Sequence, residues 1–248
     1  MSLQQETFVC LDVEATGLDV HNDRVIEVAA IRFTLNEMLD EFETLIDPQV
    51  TIPQESIQIH NISQDMVAGK PKIAQVLPEL LTFVSGAVLV GHGIEFDIAI
   101  LSHEAERAHL SHKLDRIPFI DTLRLARLYG QSPANSLSVL RQHFNVQAEG
   151  AHRARGDVVV NIQVFKHLSK KFRTLKEIQE TLEKPIFMKN MPLGKHKGRP
   201  LKELPLNYLV WASHQKFDRD LLFSLRKEIQ RRKKAPGFHE AANPFHAL

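Results

Sequence analysis

A chain of 248 residues, 43% hydrophobic and 25% charged, has room for one full domain and a smaller appendage, with the composition of an ordinary soluble globular protein. No apolar run approaches the roughly 20 residues a membrane-spanning helix needs. The N-terminal residues lack the features of a secretory leader and the lone Cys10 cannot form an internal disulfide, so a cytoplasmic location is expected.

The elements follow in chain order. Phe8-Val9-Cys10-Leu11 predicts a buried strand over residues 7–13, and Arg24–Phe33 and Leu39–Ile46 predict two more, with Asn36-Glu37 as the turn between them. Asp47-Pro48 closes the third strand, because proline cannot continue a ladder. Apolar positions at helical spacing predict helices over 72–84 and 96–109, around a short buried strand at Val88–Gly91. Pro118–Ile120 is a further strand leading into a helix over Thr122–Tyr129, and helical spacing returns at Ser136–Phe144 and Val158–Lys170. Three early strands, then strands alternating with helices, predict an α/β fold with a mixed sheet flanked by helices.

Net charge is only +1, but residues 1–175 hold 16 Lys+Arg against 22 Asp+Glu, whereas residues 176–248 hold 15 against 8. An acidic body and a basic tail suggest two parts with different tasks. The expected division is therefore 1–174 and 175–248. The second part is a small, basic, mainly helical module, with helices at Leu175–Glu183, Tyr208–Ser213 and Asp218–Arg231, a glycine-rich basic stretch over 191–200, and a mobile tail from Ala235.

Asp12-Val13-Glu14 ends the first strand beside Gly17. Alternate residues on a strand share a face, so the two carboxylates project together and repel unless a cation lies between them. A hard divalent ion suits such a pair. Glu41-x-Glu43 and Asp218-x-Asp220 have the same spacing. They read as a solvated strand face and a helix start, where acids are favoured. Asp97 opens a helix on the same face as Leu101, Ala105 and Ala108, and Asp157 opens another on the stripe of Val160, Val164 and Leu168. A carboxylate facing a core needs compensation. Four converging acids with two divalent cations, Mg²⁺ or Mn²⁺, make a phosphoryl-transfer site. His152, on the loop before Asp157, has a reference pKa suited to a general base.

These three segments, in this order, resemble the Exo I, Exo II and Exo III motifs of the DEDD exonuclease superfamily. His152-x-x-x-x-Asp157 marks the DEDDh branch, which includes the proofreading epsilon subunit of bacterial DNA polymerase III and RNase T. Over about residues 7–170 the resemblance implies an RNase H-like fold and metal-dependent 3′→5′ hydrolysis of nucleic acid from a free 3′ end. It implies that Asp12 bridges both metals, that Glu14 and Asp157 hold the metal activating water, that Asp97 holds the leaving-group metal, and that His152 is the base. Thr16, Gly17 and Leu18 match the turn receiving the terminal nucleotide, with Leu18 as a wedge. His60 and Ile62, in Ile59-His60-Asn61-Ile62, match an element packing against the last bases; otherwise they belong to a loop before a helix that follows Ser63. Asp121 fits as a helix N-cap. The chain departs from many relatives at His92-Gly93, where they carry His-Asn.

Residues 191–211 resemble a small bacterial module fused to some such exonucleases, and Lys195, Lys197 and Arg199 are candidate phosphate contacts. Single-stranded DNA is the expected substrate, in proofreading or repair, with a DNA polymerase as a candidate partner. The alternatives are an RNA-trimming exoribonuclease and a non-catalytic nucleic-acid-binding or polymerase-docking subunit.

Overall fold

The computed structural model describes residues 2–132, 134–147 and 153–234. Among these residues five strands form one sheet: β1 (Phe8–Ala15), β2 (Val25–Phe33), β3 (Met38–Leu45), β4 (Val88–Gly91) and β5 (Phe119–Asp121), in the order β3-β2-β1-β4-β5. The pairs β1–β2 and β2–β3 are antiparallel, and β1–β4 and β4–β5 are parallel. The helices are α1 (Gln54–His60), α2 (Gln64–Val67), α3 (Ile73–Val84), α4 (Glu95–Arg107), α5 (Thr122–Tyr129), α6 (Leu137–His143), α7 (Ala154–Ser169), α8 (Leu175–Glu183), α9 (Leu206–Ala212) and α10 (Arg219–Lys233). This is the expected mixed α/β arrangement. Among the described residues no helix is long and apolar enough to cross a membrane.

The period-2 alternation of the strands decides which helices cover which face. Phe8 and Cys10 of β1, with Ile31 and Phe33 of β2, pack against Val158, Ile162 and Phe165 of α7. Val9, Leu11 and Val13 point the other way, onto Leu77 and Leu80 of α3 and Ile98 and Leu101 of α4. Cys10 is a buried core thiol, held near the Asn161 amide at 3.5 Å. Asp12 and Glu14 therefore lie on the α7 side of the sheet.

The chain divides into two compact units, Met1–Leu182 and Glu183–Leu248. The expected boundary at 174/175 thus moves eight residues on. Ile178 and Leu182 of α8 belong to the same core as Phe8 and Phe165, so burial of that amphipathic face ties α8 to the first unit. The second unit has its own core, in which Leu209 and Ala212 of α9 meet Leu221, Leu225 and Ile229 of α10. The tail expected from Ala235 lies outside the described residues.

Candidate active site

Three carboxylates meet at the end of β1. One oxygen each from Asp12, Glu14 and Asp157 lies within 4.8 Å of the other two. Asp12 and Glu14 arrive by the pleat of the strand, and Asp157 arrives in the first turn of α7. All three are half-buried. Burial, and then the charges of Asp97, Glu14, Asp157 and Glu27, push the Asp12 carboxyl well above the usual range. Burial and the Asp157 and Glu27 charges push Glu14 up to about 7. The donor set is oxygen only, and mutual repulsion leaves it short of positive charge. Both properties fit a hard divalent cation.

Asp97 approaches from the opposite layer, outside that close trio but near enough for its charge to act on Asp12. β4 pairs with β1 only as far as Cys10↔Val90, and the chain leaves β4 through Gly91 and Gly93 into α4. A Cβ on Gly91 would stand 2.6 Å from the Ile94 side chain, and Gly93 has φ +80°, so both positions need glycine. The shortened strand leaves the edge of β1 open, and Asp97 fills it by accepting the Val13 N–H at 3.0 Å. The Asp97 carboxylate is buried, and burial pushes it up to about 8. The exit from β4 is braced by Asp121, which accepts the Gly93 N–H at 2.9 Å and caps α5 through the Leu123 N–H at 2.8 Å. That is the expected N-cap role. His92 is bound at both ring nitrogens, by Thr122 Oγ1 at 3.0 Å and the Asn135 carbonyl at 2.8 Å, and burial lowers its pKa to about 4. It is a neutral strut.

The turn from β1 to β2 is built on Asp23, which spacing did not single out. Its carboxylate accepts from Thr16 Oγ1 and from the Asp19 N–H, each at 2.8 Å, and a Cβ on Gly17 would come within 2.4 Å of it. Thr16 is buried, and its own carbonyl accepts Ser56 Oγ at 2.6 Å. It serves as scaffold, and the surface of the turn falls to Leu18, which is 87% exposed. Ile62 corrects the expectation placed on it. His60 ends α1, is 2% exposed and accepts the Ile62 N–H on Nδ1 at 3.0 Å. Ile62 is fully buried with Ile26, Ile52 and Val67. Apolar burial in that satellite core takes the Ile62 side chain away from any base, whereas His60 stays near enough to Glu27 and Arg153 to feel their charges.

Glu27 is a second group that spacing missed, although a glutamate inside the apolar run of β2 was a visible anomaly. It stands opposite Glu14 in the ladder, is wholly buried, and holds both the Arg153 guanidinium and the Ala154 N–H. It thereby fixes the start of α7. His152 lies outside the described residues.

A sequence-family profile described as Exonuclease matches residues 9–165. The chain belongs to this exonuclease family. A second profile, described as a putative quorum-sensing-regulated virulence factor, matches residues 179–227. Among relatives, the chain is 31% identical over 208 residues to a PolC-type DNA polymerase III of Clostridium perfringens, covering 83% of this chain and 14% of that protein. It is 34% identical over 165 residues to the DNA polymerase III epsilon subunit of Aquifex aeolicus, covering 66% of this chain and 81% of that one. The chain therefore spans only about one-seventh of the PolC-type relatives it matches. E. coli Exonuclease I, solved with a dT13 oligonucleotide, shares the fold at TM-score 0.61 and 18% identity, over 72% of this chain and 43% of that one. The expected RNase H-like exonuclease fold is thus the observed one. In the second unit, Lys195, Lys197 and Arg199 are all exposed.

Proposed function

We propose that the chain is a divalent-metal-dependent 3′→5′ exonuclease acting on single-stranded DNA ends, with Mg²⁺ or Mn²⁺ as the metal. The observation that carries this reading is the approach of Asp12, Glu14 and Asp157 oxygens to within 4.8 Å, in a chain matched by the exonuclease profile over that whole region. When bound, divalent cations supply polarisation of the scissile phosphate and activation of the attacking water.

The chain's own residues do the rest. Asp12, Glu14, Asp97 and Asp157 hold the cations, with Asp12 central because its carboxylate feels the other three. Leu18 supports the terminal base from the β1–β2 turn. His152 takes the proton from the attacking water. DNA is favoured over RNA because the Exonuclease I neighbour was solved with dT13 and another neighbour, Exonuclease X, with 5′-overhanging duplex DNA. The epsilon-subunit relative supports a role in proofreading or repair alongside a DNA polymerase.

The decisive experiment is digestion of 5′-labelled DNA and RNA oligomers of one sequence, with single-stranded, paired and mismatched 3′ ends, in Mg²⁺ and in Mn²⁺. A ladder shortening from the 3′ end of DNA, absent with Asp12→Ala, is the expected result. A ladder retained by Asp12→Ala sinks the metal assignment. Faster digestion of RNA makes the enzyme an exoribonuclease, and tight binding without cleavage in either metal makes it a non-catalytic subunit.

A further inference from the structure

Residues 183–248 carry 14 lysines and arginines against six aspartates and glutamates, and part of that charge sits on a loop of fixed shape. The Met191 N–H donates to the Arg199 carbonyl at 2.9 Å, and the Gly198 N–H donates to the Met191 carbonyl at 2.7 Å. Gly194 and Gly198 take φ of +69° and +83°, which glycine enters without steric cost. The closed loop leaves Lys195, Lys197 and Arg199 exposed.

Beside the loop, α9 presents Tyr208 and Trp211. They lie three residues apart and so on one face of the helix, with ring centroids separated by 5.5 Å. Leu209 and Ala212, each one residue further on, turn into the core, against which Tyr208 is also partly packed, whereas Trp211 is left outside it. His196 of the loop meets the Tyr208 ring edge-on at 4.4 Å, and Lys195 Nζ stands 5.6 Å from its centroid. Loop and helix therefore form one surface. Trp211, the single tryptophan of the chain, is 55% exposed there. Standing beside the cations of the loop, that ring gives the surface an apolar face as well as charge. Ring faces interleaved with cations match a polymer that offers flat bases and phosphates together.

We infer that this surface is a second binding site for single-stranded nucleic acid, where Trp211 and Tyr208 stack on bases and Lys195, Lys197 and Arg199 pair with phosphates. The choice of polymer rests on the exonuclease reading of the first unit.

The lone tryptophan supplies the test. The full chain in EDTA is titrated with oligothymidylate of about 30 nucleotides, longer than the roughly 4–16 nucleotides one single-strand site takes, while Trp211 emission and the anisotropy of a labelled strand are both followed. Saturable quenching of Trp211 is expected. Trp211→Ala should weaken binding about tenfold, the size of one lost stacking contact. The Lys195→Ala/Lys197→Ala/Arg199→Ala variant should flatten the salt dependence of binding by about two log units per log of salt. Binding without quenching, with an unchanged salt slope in a triple variant that circular dichroism shows to be folded, overturns the inference and leaves the surface to a protein partner. Hydrolysis of thymidine 5′-(p-nitrophenyl) phosphate in Mn²⁺ tests the first unit separately. Quenching without ester hydrolysis would defeat the exonuclease reading alone, and ester hydrolysis without quenching would defeat the second site alone.

Discussion

Arg153 and Glu27, 126 residues apart in sequence, grip each other beside the acidic centre. Arg153 Nε lies 2.9 Å from one Glu27 oxygen and 3.1 Å from the other, and the second oxygen also accepts the Ala154 N–H at 2.9 Å. A carboxylate from β2 thus caps the first turn of α7, the turn that carries Asp157, and anchors the residue next to His152.

Glu27→Gln keeps the shape and removes the charge. Losing a charged hydrogen-bonded partner at a buried position should cost about 2 kcal/mol of stability, measured by urea unfolding. Because Asp157 is positioned from this point, kcat should fall about tenfold to a hundredfold with little change in KM. An unchanged kcat would show that α7 needs no such anchor.

Asp12→Asn should separate stability from activity. It removes the acid whose charge is opposed by burial and by four neighbouring carboxylates, so the metal-free protein should melt at a higher temperature. Hydrolysis should drop about a thousandfold or more, corresponding to about 4 kcal/mol of lost transition-state stabilisation. A lower melting temperature in EDTA would contradict the repulsion argument.

Metal-free stability should depend on pH. Glu14 and Asp97 are pushed up to about 7 and about 8, chiefly by burial, whereas in the unfolded chain both titrate near about 4. The folded state therefore keeps protons that the unfolded state releases, and stability falls as pH rises from about 4 to about 8. A divalent cation offsets the ionised carboxylates, so its stabilising effect should grow over the same interval. Thermal melts at about pH 5.5 and about pH 8.5, with EDTA and with Mn²⁺, check this. A metal-induced shift equal at both pH values would refute it.

Leu18→Ala and Ile62→Ala should behave as opposites. Leu18 is 87% exposed, so its truncation should leave stability within about 0.5 kcal/mol while raising KM for a DNA end. Ile62 is fully buried, and its truncation should cost about 2–5 kcal/mol. Equal melting curves for the two variants would place both side chains wrongly.

Much of this protein was legible in local patterns. Apolar runs announced β1 and β2, helical spacing announced α3, α4 and α5, and Asp12, Glu14, Asp97 and Asp157 stood out as acids at strand ends or helix starts. The short α1 escaped because its apolar face has only Ile57 and His60 to bury, too little for periodicity to register. It forms after Pro53, whose extended conformation suits the residue before a helix. The Glu41-x-Glu43 pair, taken as solvent-facing, is half-exposed and meets Arg155 at 3.1 and 3.6 Å, a surface pairing of small energetic weight.

By itself the sequence determined which segments become strands and helices and which acids sit at their ends, because those depend on neighbours within one turn or one pleat. It also carried the ordered motifs from which the exonuclease family could be named. Only the tertiary structure decided how the groups combine. It closed three carboxylates to within 4.8 Å, set Asp97 against the open edge of β1, started α7 at Ala154 through Glu27, buried Ile62, and assigned α8 to the first unit. Each of those outcomes depends on burial and charge between residues far apart in the chain, where desolvation and like-charge repulsion exist only once the sheet and its helices have come together.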